Sequence, residues 1–154
     1  NQMARSAKAD CLVLGHNLDD FSQTILMNHS RGDVARMNRM APHKYVQEGF
    51  IPRLLPLRRL PEQEVYLYAI LKGMKFHDGD CPYAGKAQRN FFRKMVMELE
   101  SKQPGTRHSL VNGMEKIREN ISPPIALSAC PSCGEPSGGK GPCVFCREFG
   151  NFSV

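Results

Sequence analysis

The sequence predicts an α/β domain that carries a helical hairpin and ends in a zinc ribbon. Three observations predict this fold. A short apolar run is followed by a polar loop and an amphipathic segment, which is typical of a parallel strand leading into a helix. Two long helix-period segments follow in the second half, and two CxxC pairs lie near the end. We therefore expect a main domain over residues 1–122 and a small module over residues 123–154.

The composition is that of a globular protein, and its charge favours an anionic partner. Hydrophobic residues make up 41% of the 154 residues, and no apolar run approaches the ~20 residues that a membrane span needs. The first ten residues have the pattern of neither a secretory signal nor a transit peptide. We expect a cytoplasmic protein with no membrane partner. A formal net charge of +6 favours nucleic acid, although many ordinary domains are mildly basic.

The first predicted strand is the run ADCLVLG, residues 9–15. It is apolar and ends in Gly15, as a buried parallel strand does where it enters a loop. Cys11 lies in the middle of this run. We interpret it as a small buried hydrophobic residue.

A helix is predicted directly after this strand. Asn17 can cap it, Asp19 and Asp20 fall in its first turn, and Gly32 lies near its end. Its apolar stripe comprises Phe21, Ile25, Leu26 and Met27.

A short helix and a basic loop are expected within residues 33–49, with Arg36, Arg39, His43 and Lys44 among Met and Pro. The next helix starts at Pro61, with Glu62 and Glu64 in its first turn, and ends near Gly73. We expect its apolar residues to face a core; these are Val65, Leu67, Tyr68, Ile70 and Leu71.

Two further helices are predicted over residues 86–102 and 106–120, and they should form a helical hairpin around Pro104 and Gly105. Their polar faces carry a set of cations: Arg89, Arg93, Lys94, Arg107, Lys116 and Arg118. A solvated helix face and an RNA contact explain these charges equally well. The Pro-Pro pair at 123–124 marks a linker.

The strongest motif is the pair of CxxC sequences Cys130/Cys133 and Cys143/Cys146. Four thiolates with this spacing can converge tetrahedrally on one ion at ~2.3 Å each, which is the geometry of a structural zinc site. Two disulfides or a rubredoxin-like iron site are the alternatives. We favour zinc because the protein has a cytoplasmic character and because Gly134 follows the first pair.

The hexapeptide GHNLDD lies at the turn from strand to helix, where ligands bind in open α/β sheets. Gly15 permits close approach of a ligand to the backbone, and His16 and Asn17 offer hydrogen-bonding groups. Asp19 or Asp20 could hold Mg²⁺ or position a nucleophile. Taken alone, the motif is better explained as a helix cap with two acids that complement the helix dipole.

The motif does not stand alone. GHNLDDFSQTILMN, RGD, PLRRLPEQEVYLYAILKG, DCPYA and the CxxC pairs together resemble the TtuA group of the TtcA family, PP-loop ATPases that thiolate tRNA. GHNxDD is shared with other PP-loop enzymes, including tRNA lysidine synthetases, whereas the ordered set is specific. The resemblance covers nearly the whole chain. It implies the carboxy-terminal part of an adenine-nucleotide α-hydrolase-like (PP-loop) domain.

The resemblance implies the activity of a tRNA-uridine 2-sulfurtransferase. Family members use ATP to adenylate the C2 oxygen of a uridine in tRNA, replace that oxygen with sulfur and release AMP. The implied cofactors are ATP, Mg²⁺, Zn²⁺ and a 4Fe-4S cluster. The implied partners are tRNA, a sulfur donor such as a ubiquitin-like carrier protein, and a second copy of the chain in a homodimer. We expect the basic loop and the helical hairpin to grip the tRNA.

The resemblance also implies roles for particular residues. Gly15, His16 and Asn17 would lie near the nucleotide, and Asp19 and Asp20 match the active-site acidic pair. Cys81, in DCPYA, matches the third cysteine of the iron-sulfur cluster, whose thiolate ligation suits a cysteine in a Gly/Asp loop.

The nucleotide-binding SGGxDS loop, the CxxC pair for the other cluster ligands and the amino-terminal zinc module are missing from the sequence. We therefore expect a fragment that lacks the PP-loop and is inactive alone. Two other functions remain open. A PP-loop ligase such as a lysidine-synthetase-like enzyme would attack with an amine and need no Cys81, and a non-enzymatic RNA-binding zinc-ribbon module would leave GHNLDD unexplained.

Overall fold

The computed structural model describes residues 1–40, 49–77, 79, 82, 88–120, 127–138 and 141–150, apart from the side chain of Gln2. The chain divides into two compact units. One contains the described parts of 1–14, 41–54 and 123–154, and the other contains those of 15–40 and 55–122. The predicted boundary between residues 122 and 123 lies within residues 121–126, outside the described part of the chain. That residues 1–122 form a single domain stays a prediction.

The first unit contains a short parallel strand pair. Helix α1 (Gln2–Ser6) precedes strand β1 (Leu12–Val13), which pairs in parallel with β2 (Arg53–Leu54). The register places Leu12 opposite Arg53 and Val13 opposite Leu54. Backbone N–H groups of Leu12 and Leu14 extend the ladder by donating to the carbonyls of Pro52 (2.8 Å) and Leu54 (2.9 Å). The predicted parallel strand is therefore present.

The strand is not buried as predicted. Val13 is 60% exposed, and Cys11 is half-buried and lies before β1 rather than within it. Within the described residues β1 pairs only with β2, so it does not have the flanking strands that bury a central parallel strand on both sides.

The second unit begins with two helices. Helix α2 (Leu18–Ser30) is followed by α3 (Val34–Asn38) across a turn in which Gly32 has a φ of +63°. Asp33 caps α3 through a 2.9 Å hydrogen bond from the backbone N–H of Arg36 to its carboxylate. The predicted short helix is thus present. The rest of the predicted basic loop, including His43 and Lys44, lies outside the described residues.

Helix α4 (Glu62–Leu71) differs from the prediction in its burial. Pro61 is its N-cap, and Gly73, with a φ of +61°, follows its end. None of its residues is buried; the exposed apolar side chains include Leu67 (55%), Tyr68 and Leu71 (76%). The expected core-facing stripe was wrong: residues 65–71 are all apolar, so no single face is marked for a core, and among residues 65–71 only Val65 and Ala69 are half-buried. Among the described helices, none combines the length and the apolar character needed to cross a membrane.

Helices α5 (Gln88–Lys102) and α6 (Thr106–Glu119) follow, with Gly105 in the left-handed conformation between them at φ +91°. The second unit has its core between α2, α3 and α6. Its buried members are Leu18, Ile25, Met37, Val111 and Met114, with Phe21 and Met40 packed against them. Helix α5 buries Phe92 and Val96. This core fixes α2 against the later helices.

The cysteine-rich segment folds around a small hairpin. Strand β3 (Ser128–Ala129) pairs antiparallel with β4 (Pro136–Ser137), and helix α7 (Val144–Phe149) follows. In the same unit Glu135 accepts hydrogen bonds from the side chains of Asn1 and Arg5. The hairpin is therefore held to the first residues of the chain by side-chain contacts as well as by its own ladder.

Candidate functional site

The beginning of α2 is fixed by a reciprocal cap. The side chain of Asn17 accepts a 3.0 Å hydrogen bond from the backbone N–H of Asp20, and the Asp20 carboxylate accepts a 3.1 Å bond from the backbone N–H of Asn17. This capping box satisfies two backbone donors at the helix terminus. The helix cap that the motif alone predicted is thus present.

Gly15 and His16 lie just before this cap and are exposed. A Cβ added at Gly15 would meet no atom within 4 Å. Packing against the described residues therefore does not require glycine there, and these residues leave open space beside its backbone. The role of these two residues and of Asn17 beside a nucleotide stays a prediction.

Asp19 is a buried anchor between three helices. It is 7% exposed, and its carboxylate accepts a 2.7 Å hydrogen bond from the backbone N–H of Glu62, the first residue of α4. Arg107 in α6 donates to both of its oxygens, at 2.9 and 3.2 Å. Because both carboxylate oxygens have partners, Asp19 ties the beginning of α2 to α4 and α6.

Glu100, on α5, extends this network. Its carboxylate accepts from the backbone N–H groups of Gly105 (2.9 Å) and Arg107 (2.8 Å), and the Arg107 Nε lies 3.6 Å from it. Burial would raise the pKa of Glu100, but these backbone hydrogen bonds and the Arg107 charge outweigh it, so the pKa is lowered. Burial likewise opposes the charge of Arg107, yet hydrogen bonding to Asp19 raises its pKa. Glu100 and Arg107 are therefore both charged at neutral pH.

Asp20 differs from its neighbour in exposure and in partners. Arg89, on α5, lies 3.3 Å from its Oδ1 and also donates to the Thr24 hydroxyl at 2.8 Å. The Arg89 and Asp20 side chains are 44% and 30% exposed. Exposed ion pairs contribute little to stability, so this pair can exchange for another ligand at small cost.

A polar cleft lies beside these carboxylates. A second exposed ion pair lines this cleft and joins Arg93 to Glu62 at 3.0 Å. The cleft encloses about 110 Å³, room for roughly four waters and far less than a nucleotide needs. Its lining residues are Asn17, Asp19, Asp20, Gln23, Glu62, Arg89, Asn90 and Arg93. The described residues thus form a polar recess and not a complete nucleotide pocket.

The four predicted metal ligands converge in the cysteine-rich segment. The Sγ atoms of Cys130, Cys133, Cys143 and Cys146 all lie within 4.8 Å of one another, and those of Cys133 and Cys143 are 3.9 Å apart. Four sulfurs at 2.3 Å from one tetrahedral ion are about 3.8 Å apart. The donor set and its spacing therefore fit one closed, tetrahedral metal ion.

The surroundings of these thiols also suit a cation. A hydrogen bond from the backbone N–H of Cys143 to the Cys130 Sγ (3.2 Å), with other N–H donors, lowers the pKa of Cys130 to about 6. Burial and hydrogen bonding to neighbouring thiols raise the pKa of Cys146 to about 12. Four thiolates this close repel each other, so full deprotonation requires a bound cation that displaces the protons.

Cys81, the predicted cluster ligand, lies outside the described residues, so its surroundings remain a matter of prediction. Cys11 is half-buried and is not among the four clustered cysteines. The structure therefore brings together the predicted zinc ligands and, separately, Asn17, Asp19 and Asp20.

Two residues of the charge network were not singled out as site residues by the sequence. Arg107 was placed on a polar helix face, and Glu100 was assigned no role. Arg107 is instead largely buried, with 17% of its side chain exposed, and is paired with a residue 88 positions away. No short motif links positions so distant, so only three-dimensional structure or residue covariation could have found the pair.

Known proteins resemble this chain along most of its length. A PP-loop domain family model matches residues 1–100. The tRNA 2-thiolation protein NcsA of Haloferax volcanii is 38% identical, over 90% of this chain and 47% of its own length. A tRNA-5-methyluridine(54) 2-sulfurtransferase of Pyrococcus horikoshii is 32% identical, over 100% of this chain and 52% of its own.

One solved structure extends this likeness to three dimensions. It is the U34-tRNA thiolase NcsA from Methanococcus maripaludis with its 4Fe-4S cluster, 31% identical to this chain, with a TM-score of 0.81. The match covers 100% of this chain and 49% of that structure. The chain thus spans about half the length of the relatives it matches.

The family match also corrects one expectation. Because no SGGxDS loop is present, we expected a fragment lacking the PP-loop, whereas the PP-loop domain model matches from residue 1. For the PP-loop itself, the expectation rested on the absence of that one motif, whereas the family match extends over residues 1–100. By that match the chain belongs to the PP-loop domain family.

Proposed function

We propose that this protein is a tRNA-uridine 2-sulfurtransferase that uses ATP to activate its substrate. The observation that carries the proposal is the likeness to the U34-tRNA thiolase structure, which extends over the whole chain at 31% identity and a TM-score of 0.81. The thiolation proteins among its relatives point to the same chemistry. The thiolase structure and the Pyrococcus horikoshii relative are named for different uridines, at positions 34 and 54, so the proposal names the reaction and leaves the position open.

The proposed reaction replaces oxygen by sulfur in two steps. The C2 oxygen of uridine first attacks the α-phosphorus of ATP, and pyrophosphate leaves with the electron pair of the broken P–O bond. A sulfur nucleophile then attacks C2, and the C2–O bond breaks with its electron pair remaining on AMP. Adenylation is needed because it turns a poor leaving group into a good one.

In this proposal the residues around the α2 N-terminus bind the nucleotide and its metal. The open space beside Gly15 and the exposed His16 would admit the nucleotide, and Asn17 would lie beside it. Asp19 and Asp20 form the acidic pair of the reaction, with Mg²⁺ as the cation that carboxylate and phosphate oxygens prefer. The recess of about 110 Å³ would be one corner of the full ATP site.

Cysteine chemistry is the second part of the proposal. We assign Cys81 as a ligand of a 4Fe-4S cluster, in line with the U34-tRNA thiolase structure, which was solved with such a cluster. When bound, the cluster would supply a site at which sulfur is held for transfer. We assign Zn²⁺ to Cys130, Cys133, Cys143 and Cys146, in a zinc-ribbon domain over residues 123–154, because their Sγ spacing fits a tetrahedral ion.

The proposed partners follow from the same reaction. The substrate is tRNA, whose phosphates suit a chain of net charge +6, and the sulfur donor is a ubiquitin-like carrier protein or inorganic sulfide. We further propose a homodimer and a cytoplasmic location, where reducing conditions keep the cysteine thiols free to bind metal.

The proposal is tested by reconstituting the reaction. The protein, as its gene encodes it, is purified anaerobically and incubated with unmodified tRNA, ATP and sulfide, and 2-thiouridine and AMP are quantified by mass spectrometry. We expect one AMP for each 2-thiouridine. The Cys81→Ser variant should lose thiolation, because a serine hydroxyl does not replace a thiolate as an iron ligand.

Cys11→Ser is the matched control, since Cys11 is a half-buried cysteine outside the proposed site, and it should thiolate at the wild-type rate. An iron-free Cys81→Ser protein that still thiolates would remove the cluster from the proposal. In a parallel reaction with lysine in place of sulfide, AMP formation with transfer of the amine to tRNA would identify a ligase. Binding of tRNA with no ATP consumption would identify a non-enzymatic module.

A further inference from the structure

The two acidic residues of GHNLDD stand in different surroundings although they are adjacent in sequence. The Asp19 side chain is 10% exposed and is bound to Glu62 and Arg107, on two other helices. Both residues line the cleft, but the Asp20 side chain is 30% exposed and is paired with an exposed arginine. One carboxylate is thus enclosed by fixed partners, and the other can reach a ligand.

The burial of a carboxylate and its hydrogen-bond partners determine whether it is available to a ligand. A buried ion pair that loses one member leaves an uncompensated charge, which is strongly destabilising, so Asp19 and Arg107 hold each other in place. Because Glu100 accepts from the backbone of residue 107 as well as pairing with its side chain, the guanidinium is itself fixed from α5. Asp19 is therefore held in one orientation by donors from two other helices, and only 10% of its side chain is exposed to a further ligand.

We propose that Arg107 and Glu100 are positioning residues that hold Asp19, and that Asp20 is the carboxylate that contacts substrate or its metal. This inference rests on the proposed function and divides the roles of its acidic pair. Arg107 acts through Asp19 on the beginning of α2, which carries Asp20. A displacement of about 1 Å in a reacting group can cost on the order of 100-fold in rate.

The inference is tested by the kinetics of single and paired substitutions in the thiolation assay. We expect Arg107→Gln to lower kcat by about 10- to 100-fold, with KM for tRNA and ATP changed much less. Arg107→Lys should recover part of kcat because it keeps one charged donor. Asp19→Asn added to Arg107→Gln should lower kcat little further, because the two side chains act as one unit.

Asp20→Asn distinguishes the second carboxylate. Asparagine keeps an oxygen that can accept the backbone bond from Asn17, so the fold should be retained while kcat falls by about 100-fold or more. Glu64→Gln is the control, since it removes an exposed charge of α4 that does not line the cleft. It should leave kcat unchanged.

Two results would overturn the inference: a wild-type kcat in Arg107→Gln, or losses in Arg107→Gln and Asp19→Asn that multiply in the double variant. If the wild-type protein does not thiolate tRNA, the proposed function fails, and the network is then judged by thermal unfolding. The network would be supported if Asp19→Asn and Arg107→Gln together lowered the unfolding midpoint by much less than the sum of their separate effects. Hydrogen exchange at the Glu62 amide should also be faster in each variant than in the wild type. Additive effects on the unfolding midpoint would reject the network.

Discussion

The cysteine centre and the charge network around Asp19 are both four-group constellations, but their construction differs. The four thiols come from 17 consecutive positions, Cys130 to Cys146, and their sulfurs meet within 4.8 Å. The network joins Asp19, Glu62, Glu100 and Arg107 from four helices. The first is set by local turns, whereas the second forms only when the core of the second unit has packed. A motif search can therefore detect the first and not the second.

The largest predicted effect is the response of the cysteine-rich segment to loss of the proposed zinc ion. Replacing Cys133 by Ser should abolish stoichiometric zinc and unfold residues 127–150, because structural Zn²⁺ contributes about 10–16 kcal/mol of binding free energy to modules of this kind. Metal analysis and limited proteolysis of that segment measure the two effects. A strong chelator should reproduce them in the wild-type protein.

Cys11→Ser should retain both zinc and protease resistance, since the described Sγ cluster does not include Cys11. A zinc-free protein whose residues 127–150 remain protected under reducing conditions would contradict the local, metal-dependent construction of this segment.

A smaller effect is expected for the local cap within the second unit. Asn17→Ala removes the side chain that accepts from the backbone N–H of Asp20, and such N-cap losses cost about 1 kcal/mol. Chemical denaturation of the wild type and the variant measures the difference. Ser101→Ala, at an exposed serine that bonds only to its own helix, should change the free energy of unfolding by under about 0.5 kcal/mol. If both variants lost the same free energy of unfolding, the Asn17 cap would not stabilise the helix more than an ordinary exposed side chain does.

The smallest effect is expected from the pH dependence of Glu100. Its pKa is lowered in the folded protein, so the unfolded chain binds the proton first as the pH falls. Its stabilising contribution is present above the ordinary glutamate value of about 4.3 and is lost as the pH falls through the lower folded value. Glu100→Gln should therefore show a shallower loss of stability between about pH 5 and 3. The two proteins should differ in this loss of stability by under about 1 kcal/mol. If their unfolding free energies fell equally with pH in the acid range, the prediction would be contradicted.

The parts of the molecule that the sequence predicted are those decided by neighbouring residues. The features decided locally are the Asn17 cap, the turns at Gly32 and Gly73, the end of α5, the bounds of α6 and the convergence of four cysteines, and all depend on spacings of a few positions. Local hydrogen bonding and backbone conformation determine such features before any tertiary contact forms. The sequence was therefore sufficient for them.

The predictions that were wrong concern features decided by residues far apart in the sequence. The apolar residues of α4 were expected in a core, and Val13 in a buried strand, because a hydrophobic pattern marks a face that needs a partner without identifying one. Arg107 was interpreted as a surface cation because nothing near it in sequence discloses Asp19. The surface that covers an apolar face and the partner of a buried charge both depend on the packing of distant segments. A short stretch of sequence contains neither.

The hydrogen bond from the Glu62 backbone to Asp19 has a consequence for the transfer of this motif between proteins. The hexapeptide GHNLDD carries its own cap but not its anchor, because the anchoring donors belong to the first turns of α4 and α6. Placed at the start of another helix, the hexapeptide would still cap that helix through Asn17 and Asp20. The Asp19 carboxylate would lose its fixed orientation. A matching hexapeptide in an unrelated sequence is therefore no guide to this chemistry unless a distant arginine completes it.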